Sequence, residues 1–383
     1  MGVQVDSKFF TIVAVIAVVA IISILGFGIS GFFILPLGQE KIIKIGAILP
    51  LTGQNARYGE LEKTGLEMAL QEINNSGGIN GKKLEIIYED SQGDSKQALG
   101  SWRKIMLDND VFLIVSGLSG IGMALSPVAN SGKTVLFTTD CSAAQFSSAN
   151  DFTFRITNSN AIEGEQMASY MLSKGIVSIA VLKVNNDYGE GLFPAFEKAF
   201  SKGGKIVIFQ AYGPEQRDFK MELSRIKQSN VQTIYLISYA PDAEIIVKQI
   251  KELGIGLPIF SAEPIENNDF LKNSGEAAEE IIYLKAALIT EKGKEFAEKA
   301  KAKIGRYPEI NIARSYDLLH IAAKTIQECD SSKNLSGECI KEQLYKIDFE
   351  GVLGHINFDR NGDVSIPYVL KVIKNGEFAI YKE

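Results

Sequence analysis

The sequence of 383 residues is poor in histidine, cysteine and tryptophan, with two, three and one of them. So few histidines leave little material for a histidine-based metal site or catalytic centre, and so few cysteines exclude a disulfide-dense miniprotein. Basic runs are missing and the formal net charge is −6, which argues against a nucleic-acid-binding surface. The sequence also lacks HExxH, P-loop and CxxC motifs, so it predicts neither a metal site nor a cofactor.

A long uncharged segment stands near the N-terminus. No charged residue occurs from Phe9 to Gln39, and the apolar stretch 9–35 exceeds the roughly 20 residues needed to cross a bilayer. Residues 1–40 are therefore interpreted as a cleaved signal peptide or an uncleaved, transmembrane signal anchor. The anchor is favoured because a signal-peptide core has only about 7–15 apolar residues. Either way, the rest of the chain is expected outside the cytoplasm, anchored at the cell surface or secreted.

From residue 42 onward, short apolar runs alternate with amphipathic segments. This alternation predicts an α/β fold with parallel sheets covered by helices on both faces. The number of units favours two doubly wound lobes over one sheet. Strands are predicted at 42–49, 83–90, 111–117, 134–138, 177–184, 205–212, 231–238 and 281–288. Helices are predicted at 58–75, 95–108, 122–131, 161–174, 189–202, 217–229, 242–253, 292–304, 312–328 and 337–346.

The C-terminal segment 355–382 changes to strands joined by turns at DRNGD and KNGE. Asp359, Asn361 and Asp363 resemble the start of a calcium loop, but Val364 stands where such a loop needs glycine. A turn is therefore predicted instead.

Two of the three cysteines bracket a polar loop between predicted helices. In an oxidising compartment, a disulfide between Cys329 and Cys339 is expected to close this loop, and two unpaired surface thiols are the alternative. Cys141 remains as the odd cysteine.

Loops at the carboxyl ends of parallel strands are the usual place for a ligand in such sheets. Ser119 and Ser142 are interpreted as lying just before or at helix starts, where hydroxyl and backbone N–H groups can hold a carboxylate, although serines before helices are most often N-caps. Glu263 lies in an otherwise neutral loop and can pair with an ammonium or remain a solvated surface acid. Aromatic side chains can form walls or merely pack, and the candidates are Tyr58, Tyr188 and Tyr239.

At these loops the chain resembles the type I periplasmic solute-binding proteins of ABC importers, in particular the branched-chain amino-acid (leucine/isoleucine/valine) group. In the stretch 43–98, the pieces LTG, YG, TGLEMA and INNSGGINGKKL follow the family pattern in order and spacing. DYGEG at 187–191 and FSAE at 260–263 are further matches, and the resemblance covers about residues 42–375.

The resemblance implies two Rossmann-like lobes joined by a hinge of three crossovers. Residues 42–156 and 286–354 would form the first lobe, and residues 157–285 and 355–383 the second. The ligand would lie in the cleft between the lobes, and closure would bury it.

The resemblance also implies ligand-binding roles for individual residues. Ser119 would bind the ligand carboxylate, Ser142 both carboxylate and ammonium, and Glu263 the ammonium. Tyr58, Tyr188 and Tyr239 match cleft tyrosines of the family.

The side-chain pocket departs from the family pattern. Asp140 and Cys141 stand where small residues are usual, and Asn311 stands about where leucine-binding members have an aromatic residue. These replacements predict a more polar pocket than one built for leucine.

Together these features predict a non-enzymatic, monomeric, extracytoplasmic receptor that binds an amino acid, branched-chain or more polar, and delivers it to the permease subunits of an ABC importer. One alternative is a ligand-sensing domain acting through a separate signalling partner. A hydrolase is a further alternative, but GLSGI at 117–121 lacks the second glycine of a nucleophile elbow, and SRIK at 224–227 falls inside a predicted helix.

Overall fold

A computed structural model describes residues 42–382 except 109, 214–215 and 287–289. The predicted signal segment 1–40 lies outside the described residues, and so does part of the predicted crossover near residue 286. Within the described part of the chain, no helix combines the length and the apolarity that a membrane span requires.

Strands and helices alternate along most of the described chain. The strands are β1 (Ile42–Leu49), β2 (Lys83–Asp90), β3 (Leu113–Ser116), β4 (Val135–Thr138), β5 (Thr153–Arg155), β6 (Ser178–Val184), β7 (Lys205–Tyr212), β8 (Thr233–Ile237), β9 (Ile259–Ser261), β10 (Ile282–Ala286), β11 (Phe349–Gly351), β12 (Gly354–Ile356), β13 (Tyr368–Lys374) and β14 (Glu377–Ile380). The α-helices are α1 (Ala56–Asn75), α2 (Ser95–Asp108), α3 (Ser119–Gly132), α4 (Asn160–Ser173), α5 (Asp187–Phe200), α6 (Lys220–Lys227), α7 (Asp242–Glu252), α8 (Asn268–Ser274), α9 (Glu291–Ile304), α10 (Ile310–Ser331) and α11 (Gly337–Leu344).

Five parallel strands form the first sheet, in the order β2-β1-β3-β4-β5. Side chains on β1 alternate between two cores, because Ala47 and Leu49 join the core on one face and Ile48 joins the core on the other. Burial on both faces explains why this strand is an almost continuous apolar run in the sequence.

Seven strands form the second sheet, in the order β14-β13-β10-β9-β8-β6-β7. Strands β6 to β10 run parallel, whereas β13 and β14 add an antiparallel hairpin at one edge. The hairpin turns at Asn375 and Gly376, whose positive φ angles of 55° and 70° suit a two-residue turn. The core of this sheet takes side chains from Met167 to Leu284 and Ile373.

After β10 the chain returns to the first sheet. Helix α10 packs on α1 so closely that a Cβ atom on Gly65 would lie 2.2 Å from the carbonyl oxygen of Ile312. The core on this face also contains Leu318 of α10 and, further along the chain, Phe358 and Ile366. This core is therefore built from two stretches that are far apart in sequence.

A disulfide joins the end of α10 to α11. The sulfur atoms of Cys329 and Cys339 are 2.10 Å apart, and their Cα atoms are 5.9 Å apart. Cys141 is a free, buried cysteine.

The DRNGD segment forms a turn that is closed by Asp359. Its Oδ1 accepts the N–H of Asn361 at 2.8 Å and that of Asp363 at 3.0 Å. The Asp363 carboxylate pairs with Arg155, so the acidic groups of this segment hold a turn and an arginine. Among the described residues, no cluster of three or more histidine, cysteine or acidic side chains is arranged to hold a metal ion.

Candidate functional site

A cavity of about 510 Å³ opens where the carboxyl ends of strands from both sheets converge. Its volume lies within the range of roughly 300–1,000 Å³ that is usual for small-molecule sites. The loops after β2, β3, β4, β6, β8 and β9 all contribute to its lining. The topology explains this position, because loops and helix N-termini converge at the carboxyl edge of a parallel sheet.

Six of the eight predicted ligand-binding residues line the cavity: Tyr58, Ser119, Asp140, Tyr188, Tyr239 and Glu263. Ser142 and Cys141 are not among the lining residues. Ser142 lies in a stretch without helix, not at a helix start, and its N–H donates to the Asp140 carbonyl at 3.0 Å. The Cys141 thiol is buried 3.7 Å from the Ser119 carbonyl oxygen, and burial raises its pKa to about 12. The ligand-binding roles of all eight residues stay predictions.

Ser119 is the first residue of α3. The residue before it, Leu118, has φ 55° and ψ 136° and supplies no side-chain cap, so the first N–H groups of α3 are left for another acceptor. The Ser119 hydroxyl accepts the N–H of Ala143 at 3.2 Å, and its own proton can be donated to the neighbouring Cys141 sulfur or to a ligand. This arrangement can hold a carboxylate, because a helix N-terminus and a hydroxyl both favour an anion.

Five polar residues, all buried except the partly buried Asp140, line one side of the cavity, and we call them the inner cluster: Asp140, Glu263, Lys285, Asn311 and Arg314. Arg314 donates from Nη1 to Asp140 Oδ1 at 2.7 Å and from Nη2 to Glu263 Oε1. Asn311 also donates to Asp140, at Oδ2, and Lys285 Nζ lies 3.5 Å from Glu263 Oε1. Arg314 therefore connects the loop after β4, in the first sheet, with the loop after β9, in the second.

The charges of the inner cluster stabilise one another. Burial alone would raise the pKa of Glu263, but Arg314 and Lys285 outweigh this effect and hold it below its usual value. Burial would lower the pKa of Arg314, yet the carboxylates of Glu263 and Asp140 raise it above its usual value. The acid and the arginine are therefore both charged, and each depends on the other for its counter-charge.

Glu163, on α4, supports Glu263 from behind. Its Oε1 accepts the backbone N–H of Glu263 at 2.5 Å. Burial, together with the negative charge of Glu263, raises the pKa of Glu163 to about 8. At neutral pH it is therefore mostly an uncharged acid that fixes the start of the short 3₁₀ turn Glu263–Ile265.

Three tyrosines form another wall of the cavity. The Tyr239 ring lies edge-to-face with the rings of Tyr58 and Tyr188, at centroid distances of 6.5 and 5.8 Å. The Tyr239 hydroxyl accepts a hydrogen bond from Asn186 Nδ2 at 2.7 Å. The hydroxyls of Tyr58 and Tyr188 are buried without a hydrogen-bond partner among the described residues. Burial raises the pKa of both, so they are neutral donors for a ligand or a water molecule.

The sequence reasoning missed Lys285, Arg314 and Glu163. Lys285 interrupts the apolar strand β10, and a lysine inside a strand covered on both faces is a usable signal for a buried ion pair. Arg314 lies in the mainly apolar pattern of α10 and is easily taken for a surface residue. Glu163 has no comparable signal, since acids are common in the first turn of a helix.

The comparisons with known proteins agree with this architecture. The periplasmic binding protein family model matches residues 42–373. A leucine-, isoleucine-, valine-, threonine- and alanine-binding protein of Pseudomonas aeruginosa is 25% identical over 359 residues, covering 92% of this chain and 93% of its own.

Two solved structures share the fold. A leucine-binding protein LivK from Thermotoga maritima has a TM-score of 0.81 at 24% identity and covers 89% of this chain and 98% of its own. The LivJ substrate-binding protein of Streptococcus pneumoniae, in complex with isoleucine, has a TM-score of 0.81 at 24% identity. It covers 90% of this chain and 100% of its own. These likenesses show the type I α/β fold, and the family match spans nearly all described residues. The chain belongs to the family of periplasmic binding proteins.

Proposed function

We propose that this chain is an extracytoplasmic solute-binding receptor that binds an amino acid in the cavity and delivers it to the permease of an ABC importer. The family role supports the binding of a solute rather than its chemical conversion. The Pseudomonas aeruginosa relative is named for leucine, isoleucine, valine, threonine and alanine, which supports an amino acid as ligand. The apolar segment 9–35 supports export from the cytoplasm, by a signal peptide or a signal anchor.

One observation carries the proposal for an amino-acid headgroup. The first turn of α3 with Ser119 offers donors to a carboxylate, and Glu263 lines the same cavity. Glu263 Oε1 is engaged by Arg314 and Lys285, whereas Oε2 has one long contact of 3.4 Å with the N–H of Ala286. A free ammonium therefore finds Oε2 as its acceptor, and a zwitterion spans both groups.

The two sheets with their cores are proposed to act as two lobes that close on the ligand. The ligand favours closure because it contacts both lobes only in the closed state. The first two crossovers follow the sequence interpretation, near residues 156 and 286. The last is proposed near residue 367, because Ile366 packs in the core of the first sheet while Ile373 packs in that of the second.

The absence of a catalytic role is also a proposal. Neither histidine lines the cavity within the described residues. His320 lies against Tyr316, and His355 contacts Glu350 at 3.0 Å on the surface. The cavity thus offers hydroxyls, a helix N-terminus and ion pairs, which suit binding.

A thermal-shift screen tests the ligand class. The panel contains the twenty amino acids, urea, short amides and aromatic acids. An α-amino acid is expected to give the largest shift, because bound ligand stabilises the folded state in proportion to RT ln(1 + [L]/Kd). A clear preference for a ligand without an ammonium group would overturn the headgroup proposal.

Delivery is tested separately, by uptake of the bound amino acid into vesicles that contain the permease and its ATPase.

A further inference from the structure

The inner cluster has more hydrogen-bond donors than its own acceptors use. Arg314 is 3% exposed, and its Nε is buried without a partner among the described residues. Lys285 is 4% exposed, and within the described part of the chain its ammonium forms a single ion pair, the 3.5 Å contact with Glu263. An arginine carries five N–H donors and a lysine three, so several donors remain for a ligand.

The neighbouring lining atoms add to this excess. On the lining residues, four buried atoms have no hydrogen-bond partner within the described chain: Tyr58 Oη, Tyr188 Oη, Asn267 Nδ2 and Arg314 Nε. Each of them can donate. A ligand group that reaches these atoms is therefore favoured if it accepts hydrogen bonds, since a buried unpaired donor is costly.

The charges of the inner cluster limit which hydrogen-bond acceptor on a ligand can bind there. Within the inner cluster, the carboxylates of Asp140 and Glu263 are balanced by Arg314 and Lys285. A carboxylate on the ligand side chain would lie beside the two acids, and no further cation of the inner cluster would balance its charge. A second cation, on the ligand side chain, would lie beside Arg314 and Lys285 after the headgroup ammonium has taken the remaining oxygen of Glu263. A group with no net charge avoids both costs.

The inner cluster can also accept a hydrogen bond from a ligand. Each oxygen of Asp140 receives one hydrogen bond, from Arg314 at Oδ1 and from Asn311 at Oδ2. A carboxylate oxygen can accept about two hydrogen bonds. The Asp140 carboxylate can therefore receive a further N–H from a ligand, next to the donors of Arg314 and Lys285.

We propose that the ligand is an amino acid whose side chain ends in a carboxamide, as in glutamine or asparagine, and that the inner cluster is its specificity site. The carboxamide oxygen accepts from Arg314 and Lys285, and its NH₂ group donates to Asp140. This inference rests on the proposed amino-acid function. It differs from that function by requiring a neutral side-chain group that both donates and accepts.

Titration calorimetry of the wild-type protein tests the inference without any mutation. The panel contains glutamine, asparagine, glutamate, lysine and leucine. Glutamine or asparagine is expected to bind at least roughly 100-fold more tightly than leucine, because a site built for hydrogen bonds rejects a ligand that lacks them. Tighter binding of leucine overturns the donor argument, and tighter binding of glutamate or lysine overturns the charge argument. Failure of all five overturns the carboxamide inference, and failure of all twenty amino acids in the thermal-shift screen overturns the proposed function as well.

A variant assigns the effect to the inner cluster. Lys285→Gln is expected to weaken the binding of the carboxamide amino acid at least about tenfold more than the binding of leucine, because both ligands share any change at Glu263 but only the carboxamide loses a direct hydrogen bond. An equal loss for both ligands would assign Lys285 a merely structural role. Lys202→Gln, at an exposed lysine, is the matched control and should change neither affinity.

Discussion

The guanidinium of Arg155 forms a two-point ion pair with Asp363, with Nε 2.7 Å from Oδ1 and Nη2 2.6 Å from Oδ2. Arg155 ends β5, whereas Asp363 lies in the DRNGD turn near the C-terminus. The third nitrogen, Nη1, donates to the Ala143 carbonyl at 2.7 Å. One buried side chain therefore fixes the loop after Asp140 and ties it to the C-terminal turn.

Removal of Arg155 is expected to destabilise the fold. Arg155→Met leaves Asp363 without its partner and the Ala143 carbonyl without its donor. The loss should be about 3 kcal/mol in the free energy of unfolding, measured by urea denaturation. The control is Lys133→Met, which breaks an exposed ion pair with Glu338 and should cost less than about 1 kcal/mol. Equal effects of both variants would contradict the role given to Arg155.

Gly65 is expected to reject a side chain although it lies in the middle of a helix. Gly65→Ala places a methyl group 2.2 Å from the Ile312 carbonyl oxygen and should push α1 and α10 apart. Since α10 carries Arg314, ligand affinity should fall together with stability. Thermal denaturation and calorimetry measure the two effects.

The matched control for Gly65 lies in α2. A Cβ atom on Gly100 would meet nothing within 4 Å. Gly100→Ala should therefore stabilise the protein by about 0.5–1 kcal/mol, the ordinary gain of alanine over glycine in a helix. If Gly65→Ala stabilised the protein as well, the close packing of α1 on α10 would be disproved.

Glu163 is expected to make stability depend on pH. Its pKa is raised from 4.5 to about 8 in the folded protein, so between these values the folded state holds a proton that the unfolded state has released. Stability should therefore fall as pH rises from about 4.5 to about 8, by up to about 1.4 kcal/mol per pH unit, and this slope should vanish above pH 8.

Two variants isolate this slope. Glu163→Gln keeps an acceptor for the Glu263 N–H but cannot titrate. The unfolding free energy of the wild type should therefore fall relative to that of the variant as pH rises. Glu165→Gln, at an exposed acid on the same helix, should follow the wild type. Urea denaturation at pH 5, 6.5 and 8 gives the comparison, and parallel curves for Glu163→Gln and wild type would refute the buried proton.

Glu263→Gln should affect both binding and stability. The amide removes the acceptor for the ammonium, so affinity for the amino acid should drop roughly 10- to 100-fold in calorimetry. It also deprives Arg314 and Lys285 of their shared counter-charge, which should cost about 3 kcal/mol in unfolding free energy. Glu252→Gln, at an exposed ion pair, is the control and should change neither quantity much. Unchanged binding by Glu263→Gln would show that the headgroup is held elsewhere.

The sequence was most informative where long apolar runs define a strand. Strands β1, β2 and β7 have the predicted bounds, because each run is flanked by charged or turn-forming residues. Strands β5 and β9 were missed because three residues are too short to show a period. The start of α3 at Ser119 was also placed too late, since the glycines and serine of its first turn resemble a loop.

The site was only partly predictable from sequence. Residues at strand ends, such as Ser119 and Glu263, could be found because the topology brings these loops together. Arg314 could not be placed, because its position depends on how α10 returns from the second sheet to pack on α1. The sequence therefore predicted a headgroup site, whereas the ion pairs that occupy Glu263 became visible only in three dimensions.

The return of the chain to its first sheet has a consequence for biosynthesis. Phe358 and Ile366 complete a core whose first strand begins at Ile42. Almost the whole polypeptide must therefore leave the ribosome before that apolar surface is covered. Helix α1 covers part of this sheet face early, but the rest stays uncovered during most of synthesis, so we expect slow folding and a benefit from a holding chaperone.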